Sequence, residues 1–193
     1  VVAHDGARVV EEIGERDAAT FIRTHHYSGQ WVAALRCYGL LDHVDGRLVG
    51  VAALSVPVSS RVLTNAFPTL KPYRESAELG RLCLLDECAA NSETFMLARV
   101  FRLAREAGFR GIVSFADPMP RHTLAGDVVL VGHVGAIYQA TAGSIYTGRG
   151  TPRTLLLLPD GMVLNDRALQ KIRSQDQGHA YVEARLVAAG AHP

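Results

Sequence analysis

This chain is poor in lysine, tryptophan and cysteine and has no long apolar run, and each shortage narrows what it is. Lys71 and Lys171 are its lysines, and the remaining basic side chains are arginines. Lysine and arginine number 20 against 19 acids, a net charge of +1, so the chain lacks the positive coat of a non-specific nucleic-acid binder. Cys37, Cys83 and Cys88 are odd in number and show no C-x-x-C spacing, which argues against a disulfide framework and a structural zinc site and fits a reducing cytosol. No segment approaches the roughly twenty apolar residues of a membrane span, and the start Val1-Val-Ala-His-Asp5 lacks the basic-then-apolar order of a signal peptide. The expectation is a protein that stays in the cell that makes it and has no membrane partner.

What is present is ordinary for one good core and a small appendage: 193 residues, 48% hydrophobic and 20% charged. Glu11 to Thr24 has helical spacing and runs into the polar cluster His25-His-Tyr-Ser-Gly29. Leu35 to Val44 and Arg47 to Val58 read as strands around the turn dipeptide Asp45-Gly46. Arg61 to Ser76 carries Pro68 and Pro72 without a period and reads as a long connection. Glu78 to Asp86 returns to strand character. Asn91 or Ser92 caps a helix with Phe95, Leu97, Ala98, Phe101, Leu103 and Ala104 on its apolar side, and Gly108 ends it. A short link leads to a strand at Gly111–Asp117, a strand-helix-strand unit consistent with a parallel crossover. Further on, Arg153 to Leu158 and Met162 to Leu164 flank the turn Pro159-Asp160-Gly161. Asn165 or Asp166 then caps a helix to about Ser174, and Gly178 and Gly190 bracket the last one.

This order predicts an α/β protein with a mixed central sheet flanked by helices, which suits the acetyltransferase-like fold known as GNAT. Fold alone does not establish activity.

The chemistry-bearing stretch is Gly111-Ile-Val-Ser-Phe-Ala-Asp117-Pro. An apolar strand ending in Asp-Pro delivers a carboxylate to the sheet edge where open α/β sheets place ligands. Gly135-Ala-Ile-Tyr138-Gln then reads as the first turn of a helix that brings a phenol near that edge, so Asp117 and Tyr138 form a candidate acid/base pair. The same residues also read as a turn before Pro118 and a half-buried core aromatic.

His26-Tyr27-Ser28-Gly29, Glu78-Leu79-Gly80-Arg81-Leu82, Ser114-Phe115-Ala116-Asp117-Pro118 and Ile137-Tyr138-Gln139-Ala140-Thr141 together resemble, in order, the signature of the Mom proteins of bacteriophages. The resemblance spans residues 25 to about 158, and the Arg167–Ala191 tail is similar to the ending of actinobacterial-phage relatives. It implies residues 1–164 as a GNAT-like catalytic domain and 165–193 as a C-terminal helical extension. The implied activity, in the cytoplasm of a phage-infected bacterial host, converts the N6 amine of adenine in double-stranded DNA to N6-carbamoylmethyl-adenine, which shields the DNA from restriction.

Adenine N6 shares its lone pair with the ring and is a poor nucleophile, so its proton must leave as it attacks. The resemblance casts Asp117 as that base or as the group that orients the amine, Tyr138 as donor to the leaving group or stabiliser of developing charge, and Arg81 as a holder of a phosphate or carboxylate of the donor. The alternative for Arg81 is a surface ion pair with Glu78 or Asp86. Ser114, Asn91 and Ser92 join Arg81 as candidates for donor binding. The resemblance also implies an iron-dependent reaction with His26 and Tyr27 as candidate ligands; His122 and His133 are alternatives, and a solvated histidine pair is the plain reading.

Three departures stand out: Ala142 where relatives often carry asparagine, Gly80 where serine is common, and a longer Met119–Gly135 link, whose Val128–Val131 run suits an extra strand or an added contact with DNA or a second subunit. Asp86-Glu-Cys-Ala-Ala-Asn-Ser92 also lacks the glycines of a pyrophosphate-gripping loop. The donor is therefore either acetyl-CoA bound atypically or an activated glycine such as glycyl-tRNA, since glycyl and carbamoylmethyl groups have the same atoms. Arg149, Arg153, Arg167, Lys171 and Arg173 form the densest basic region, read as duplex contacts or as a solvated helix face. Tyr27, Trp31 and Tyr146 are candidates for stacking on a flipped base, and a homodimer is a further expectation. The competing readings are a small-molecule or protein N-acetyltransferase, which needs tight acetyl-CoA binding, and a non-catalytic DNA-binding protein.

Overall fold

The computed structural model describes residues 8–150, 155–161, 163–164 and 166–190. They fall into two compact units, Val1–Ala116 with Gly135–Ile145, and Asp117–Val134 with Tyr146–Pro193.

The first unit is built on a five-stranded mixed sheet in the order β1-β2-β3-β4-β5: β1 (Arg8–Glu12), β2 (Ala34–Asp42), β3 (Leu48–Ser55), β4 (Ser76–Leu84) and β5 (Gly111–Val113). Neighbours are antiparallel up to β4, and β4 and β5 run parallel. The β2–β3 hairpin turns where expected. Val44 N–H donates to Asp42 Oδ1 at 2.9 Å, Arg47 N–H donates to Asp45 Oδ1 at 2.9 Å, and Gly46 supplies the left-handed φ of 69°. Strand β3 is buried along nearly its whole length, which its run of valine, alanine and leucine foreshadows, because helices cover both faces of the sheet.

Helix α1 (Glu15–His25) buries Ala18, Ala19, Phe21 and Ile22, a stripe of helical period, against Cys37 and Val51. On the other face α3 (Ser92–Glu106) sets Met96, Leu97, Val100 and Ala104 against Tyr38, Leu40, Leu54 and Leu79. This helix is the crossover that makes β4 and β5 parallel. The β4–β5 ladder holds three pairs, Ser76↔Gly111, Ala77↔Ile112 and Glu78↔Val113. Beyond Glu78, therefore, β4 has no β5 partner among the described residues, and the sheet opens there. Helix α4 (Ala136–Ala140) follows Gly135, whose φ of 73° starts it from a left-handed cap.

In the second unit a hairpin of β6 (Arg121–His122) and β7 (Val128–Leu130) is followed in sequence by a short pair, β8 (Leu156–Leu157) and β9 (Val163–Leu164). Leu124 N–H donates to Pro159 O at 2.7 Å. Helices α5 (Asp166–Ser174) and α6 (His179–Ala188) form a small core in which Ala168, Ile172, Val182 and Leu186 pack with Leu158 and Leu164.

The mixed α/β architecture, a central sheet with helices on its faces and two helices near the C-terminus, is the one expected, with local corrections. Residues 8–12 are an edge strand, and the first helix starts at Glu15 rather than Glu11. The connection after β3 contains a short helix, α2 (Arg61–Ala66), whose single buried side chain Leu63 leaves no period to read. The strand expected to run to Asp117 stops at Val113. Val128–Leu130 does form the extra strand that its composition suited.

Leu97 is fully buried, whereas Leu124, in the hairpin turn, is 87% exposed. Leu97→Ala should lower the unfolding free energy in urea by about 2–5 kcal/mol. Leu124→Ala should stay within about 0.5 kcal/mol of wild type.

Candidate functional site

The geometry that builds a site in the first unit begins with a slip in the β3–β4 register. Ala53 pairs with Arg81 and Leu54 with Leu79, so Gly80 is the extra residue of a β-bulge. A bulge takes one residue out of the ladder and re-aims its neighbours, a device common beside active sites. A side chain at position 80 would collide with Ser55, which explains glycine where the resemblance suggests serine.

Arg81 folds back over the bulge. Its Nη1 donates to Gly80 O at 2.6 Å and its Nε to Gln30 O at 2.9 Å, joining the bulge to the loop after α1. The alternative reading of Arg81, an ion pair with Glu78 or Asp86, is not met: Arg81 makes no salt bridge among the described residues. Burial lowers the guanidinium pKa, opposed by the nearby Tyr27 and Glu78, yet an arginine stays charged at any working pH. A half-buried cation held by backbone carbonyls, with no carboxylate bound to it, suits an anionic ligand.

Tyr138, on α4, is half-buried, and its phenol pKa is raised by burial first, then by Tyr27 and Glu78. The group stays protonated at neutral pH and is a hydrogen-bond donor there. Tyr27, Glu78, Arg81 and Tyr138 are thus electrically coupled around the open end of β4. Sequence reasoning gave Glu78 no part beyond a surface ion pair. The signal available was its place three residues before Arg81 on one strand, ambiguous until the bulge sets which side chains share a face.

His26 closes α1, with its Nδ1 accepting from Ser28 N–H at 3.1 Å and lying 2.8 Å from the Ser28 hydroxyl. Its ring stands 4.2 Å from that of Tyr27. With the Nδ1 lone pair engaged by Ser28, and no group of three or more His, Cys, Asp or Glu among the described residues able to hold a metal ion, nothing in this arrangement supports the iron site that the resemblance implied. His122 and His133 are exposed in the second unit. Trp31 donates Nε1–H to Glu15 at 2.9 Å and packs against the α1 core, which makes it a wall residue rather than a stacking platform, whereas Tyr27 and Tyr146 are exposed.

The residues expected to bind the donor divide. Ser92 is buried at the start of α3 and accepts from Arg8 Nη1 at 2.9 Å, so its hydroxyl is already engaged. Asn91 is exposed at the N-cap without a capping side-chain bond, and Ser114 is half-buried just past β5.

Asp117 belongs to the second unit. Arg121 forms a salt bridge with its Oδ2, Met119 N–H donates to Oδ1 at 3.3 Å, and His133 N–H donates to its backbone carbonyl at 2.8 Å. The carboxylate is thereby fixed at the root of the β6–β7 hairpin, a contact that the sequence reading did not foresee. Of the basic residues, Arg167 and Arg173 on α5 are exposed, as is Arg149; Lys171 is half-buried, and Arg153 lies outside the described residues.

Residues 7–193 match the Mom protein family. Among solved structures the chain is similar to a "putative phosphinothricin N-acetyltransferase", at 13% identity and a TM-score of 0.39, over 57% of this chain and 73% of that one. It is also similar to a "possible acetyltransferase from Clostridium difficile 630", at 7% identity and a TM-score of 0.38, over 56% and 79% of the two chains. No curated protein matches.

Burial raises the thiol pKa of Cys37 and Cys83 to about 11 and raises that of Cys88 as well. Thiolate is the reactive form, so the native thiols should alkylate slowly at pH 7.5 and rapidly after unfolding. Mass spectrometry of iodoacetamide adducts measures both rates, and fast native labelling of any one of them would contradict the environment described.

Proposed function

The chain belongs to the Mom protein family, and from that premise we propose that it is a DNA-modification transferase that converts the N6 amine of adenine to N6-carbamoylmethyl-adenine and so protects phage DNA from restriction. The observation that carries the reading is the coupled set Tyr27, Glu78, Arg81 and Tyr138 around the Gly80 bulge, at the point where β4 loses its β5 partner.

Each residue has a distinct task. Arg81 anchors a phosphate or carboxylate of the donor, which its half-buried guanidinium, bonded to carbonyls and without a salt bridge among the described residues, suits. Tyr138 gives its proton to the leaving group. Glu78 supports that role because its negative charge opposes ionisation of the phenol. Asp117 takes the amine's proton; its fixed orientation by Arg121 and Met119 is what the structure contributes in favour. Tyr27, 42% exposed, offers a face for the target base. Reaching N6 in a duplex requires the base to leave the stack, at about a few kcal/mol. Arg149, Arg167, Lys171 and Arg173 are proposed as phosphate contacts. A second copy of the chain is not needed for any of these tasks.

The donor is an activated acyl group. With no glycine-rich loop and with Ser92 engaged by Arg8, the start of α3 offers little to the pyrophosphate of acetyl-CoA, and we favour glycine activated as an ester, such as glycyl-tRNA. Glycyl transfer to N6 followed by isomerisation gives the carbamoylmethyl product with no atom gained or lost. No step passes through iron.

Nucleoside mass spectrometry of plasmid DNA from expressing cells should reveal a deoxyadenosine heavier by the C2H3NO unit, absent with Asp117→Ala and with Tyr138→Phe. Unmodified DNA from well-folded wild-type protein would contradict the function. A pH dependence follows from Tyr138. Activity needs the protonated phenol, and its raised pKa extends that form toward alkaline pH. Glu78→Gln removes one of the charges that raise it, so the alkaline fall in rate should come at lower pH than in wild type.

A further inference from the structure

The outer face of α3 carries a charge pattern that the roles above leave unused. Met96, Leu97, Val100 and Ala104 turn into the core, and the side of the helix opposite them presents Arg99, Arg102 and Arg105, all exposed. They recur every third residue, about 4.5 Å of helix axis per step, and so form a row along the solvent face. The row continues past the helix. Arg110 N–H donates to Glu75 O at 2.7 Å, which ties the end of α3 to the turn 71–75, where Lys71 and Arg74 are exposed as well.

Six cations thus share one stretch of surface with two acids, Glu75 and Glu106, in a chain whose net charge is only +1. The acids neutralise little of it. Glu106 stands 4.0 Å from Arg102 and Glu75 4.0 Å from Arg110, in pairs that face solvent. Lys71, Arg74 and Arg105 form no salt bridge among the described residues, and Arg99 lies over the Phe95 ring at 5.2 Å. Like charges three residues apart repel, so the row works against its own helix until a polyanion covers it. A second feature marks the same place. Tyr73, between Lys71 and Arg74, is 37% exposed and has a φ of 67°, with its N–H bonded to Ser76 O at 2.8 Å. A bulky residue seldom takes that left-handed conformation, and those that do cluster at functional sites.

We propose that the row from Arg99 to Lys71, with the Tyr73 hydroxyl, holds phosphates of duplex DNA. The inference rests on the DNA-modification reading and gives it a binding surface within the first unit, separate from Arg149, Arg167, Lys171 and Arg173. Duplex DNA carries about one negative charge per 1.7 Å of axis. An extended acidic peptide carries at most one per roughly 3.3 Å, so the denser polyanion suits so crowded a row better. Arginine, lysine and tyrosine side chains all serve as phosphate contacts, and such contacts position a duplex without reading its sequence.

Fluorescence anisotropy of a labelled DNA duplex with the purified full chain, across a range of salt concentrations, tests the surface. Arg102→Gln with Arg105→Gln should keep the wild-type melting profile, weaken binding on the order of 10-fold at physiological salt, and flatten the slope of log K against log salt by about 2, one phosphate contact per arginine. Lys71→Gln with Arg74→Gln should do the same from the other end of the row. Arg16→Gln with Arg23→Gln removes equal charge from exposed positions on α1, across the sheet, and should leave the slope near wild type. Wild-type affinity and slope in both row variants, or equal losses in the α1 control, would overturn the surface. So would row variants that lose binding to a hairpin RNA while keeping their affinity for DNA, an outcome that makes RNA the occupant. Nucleoside mass spectrometry on the same proteins separates this inference from the reading beneath it. Adenine modified by wild type, with row variants that bind DNA as wild type does, sinks the surface alone; row variants that lose DNA binding, with wild type leaving adenine unmodified, sink the modification reading and leave the surface standing.

Discussion

The first unit's site depends on the return of Arg81 onto its own strand. One guanidinium bonds the carbonyl of the bulge residue and the carbonyl of Gln30, which fixes the slip in β4 and holds the His26–Gln30 loop beside it. Without a bulge at Gly80, the side chains beyond it would change faces, and Leu82 and Leu84 would leave the core that they share with α3. The slip thus serves two demands. It keeps apolar residues inward, and it sets one cation against the loop after α1, bonded to the Gln30 carbonyl.

The open end of β4 explains why Tyr138 is a donor rather than an acceptor. Helix α4 lies against α3 and half-buries the phenol, while Glu78 places negative charge nearby, so both desolvation and field favour the neutral form. A cation that is not ion-paired and a phenol kept protonated give the open end of β4 an electrostatic polarity suited to an anionic donor and a departing oxygen. In the second unit, Asp117 is held in a different manner, by an arginine four residues along the chain and by a backbone N–H, so its direction is set by the hairpin that follows it.

Much of the fold was legible because hydrophobic pattern and turn chemistry agree. The Asp45-Gly46 hairpin and the Ser92–Glu106 helix each combine a strong period with a clear stop signal. Edge strand β1 was masked by Glu11 and Glu12, which sit outward on a sheet edge and read as the start of a helix. The early end of β5 was hidden because Ser114, Phe115 and Ala116 extend the apolar run without joining the ladder. Arg81 and Tyr138 were visible as motif residues and do meet in one electrostatic cluster. Glu78 was not visible, since a bulge is a property of register between two strands. Nor was the Arg121 salt bridge of Asp117, which depends on a hairpin that a glycine-rich loop does not announce.

The central claim is that the Arg81 cluster carries the transfer to adenine. Its most direct measurement is single-turnover transfer of radiolabel from glycyl-tRNA, and in parallel from acetyl-CoA, to adenine in a duplex, by purified wild type and by a folded Arg81→Met variant. The account predicts labelled adenine from one of these donors with wild type and almost none with Arg81→Met. Transfer by Arg81→Met at the wild-type rate would contradict it.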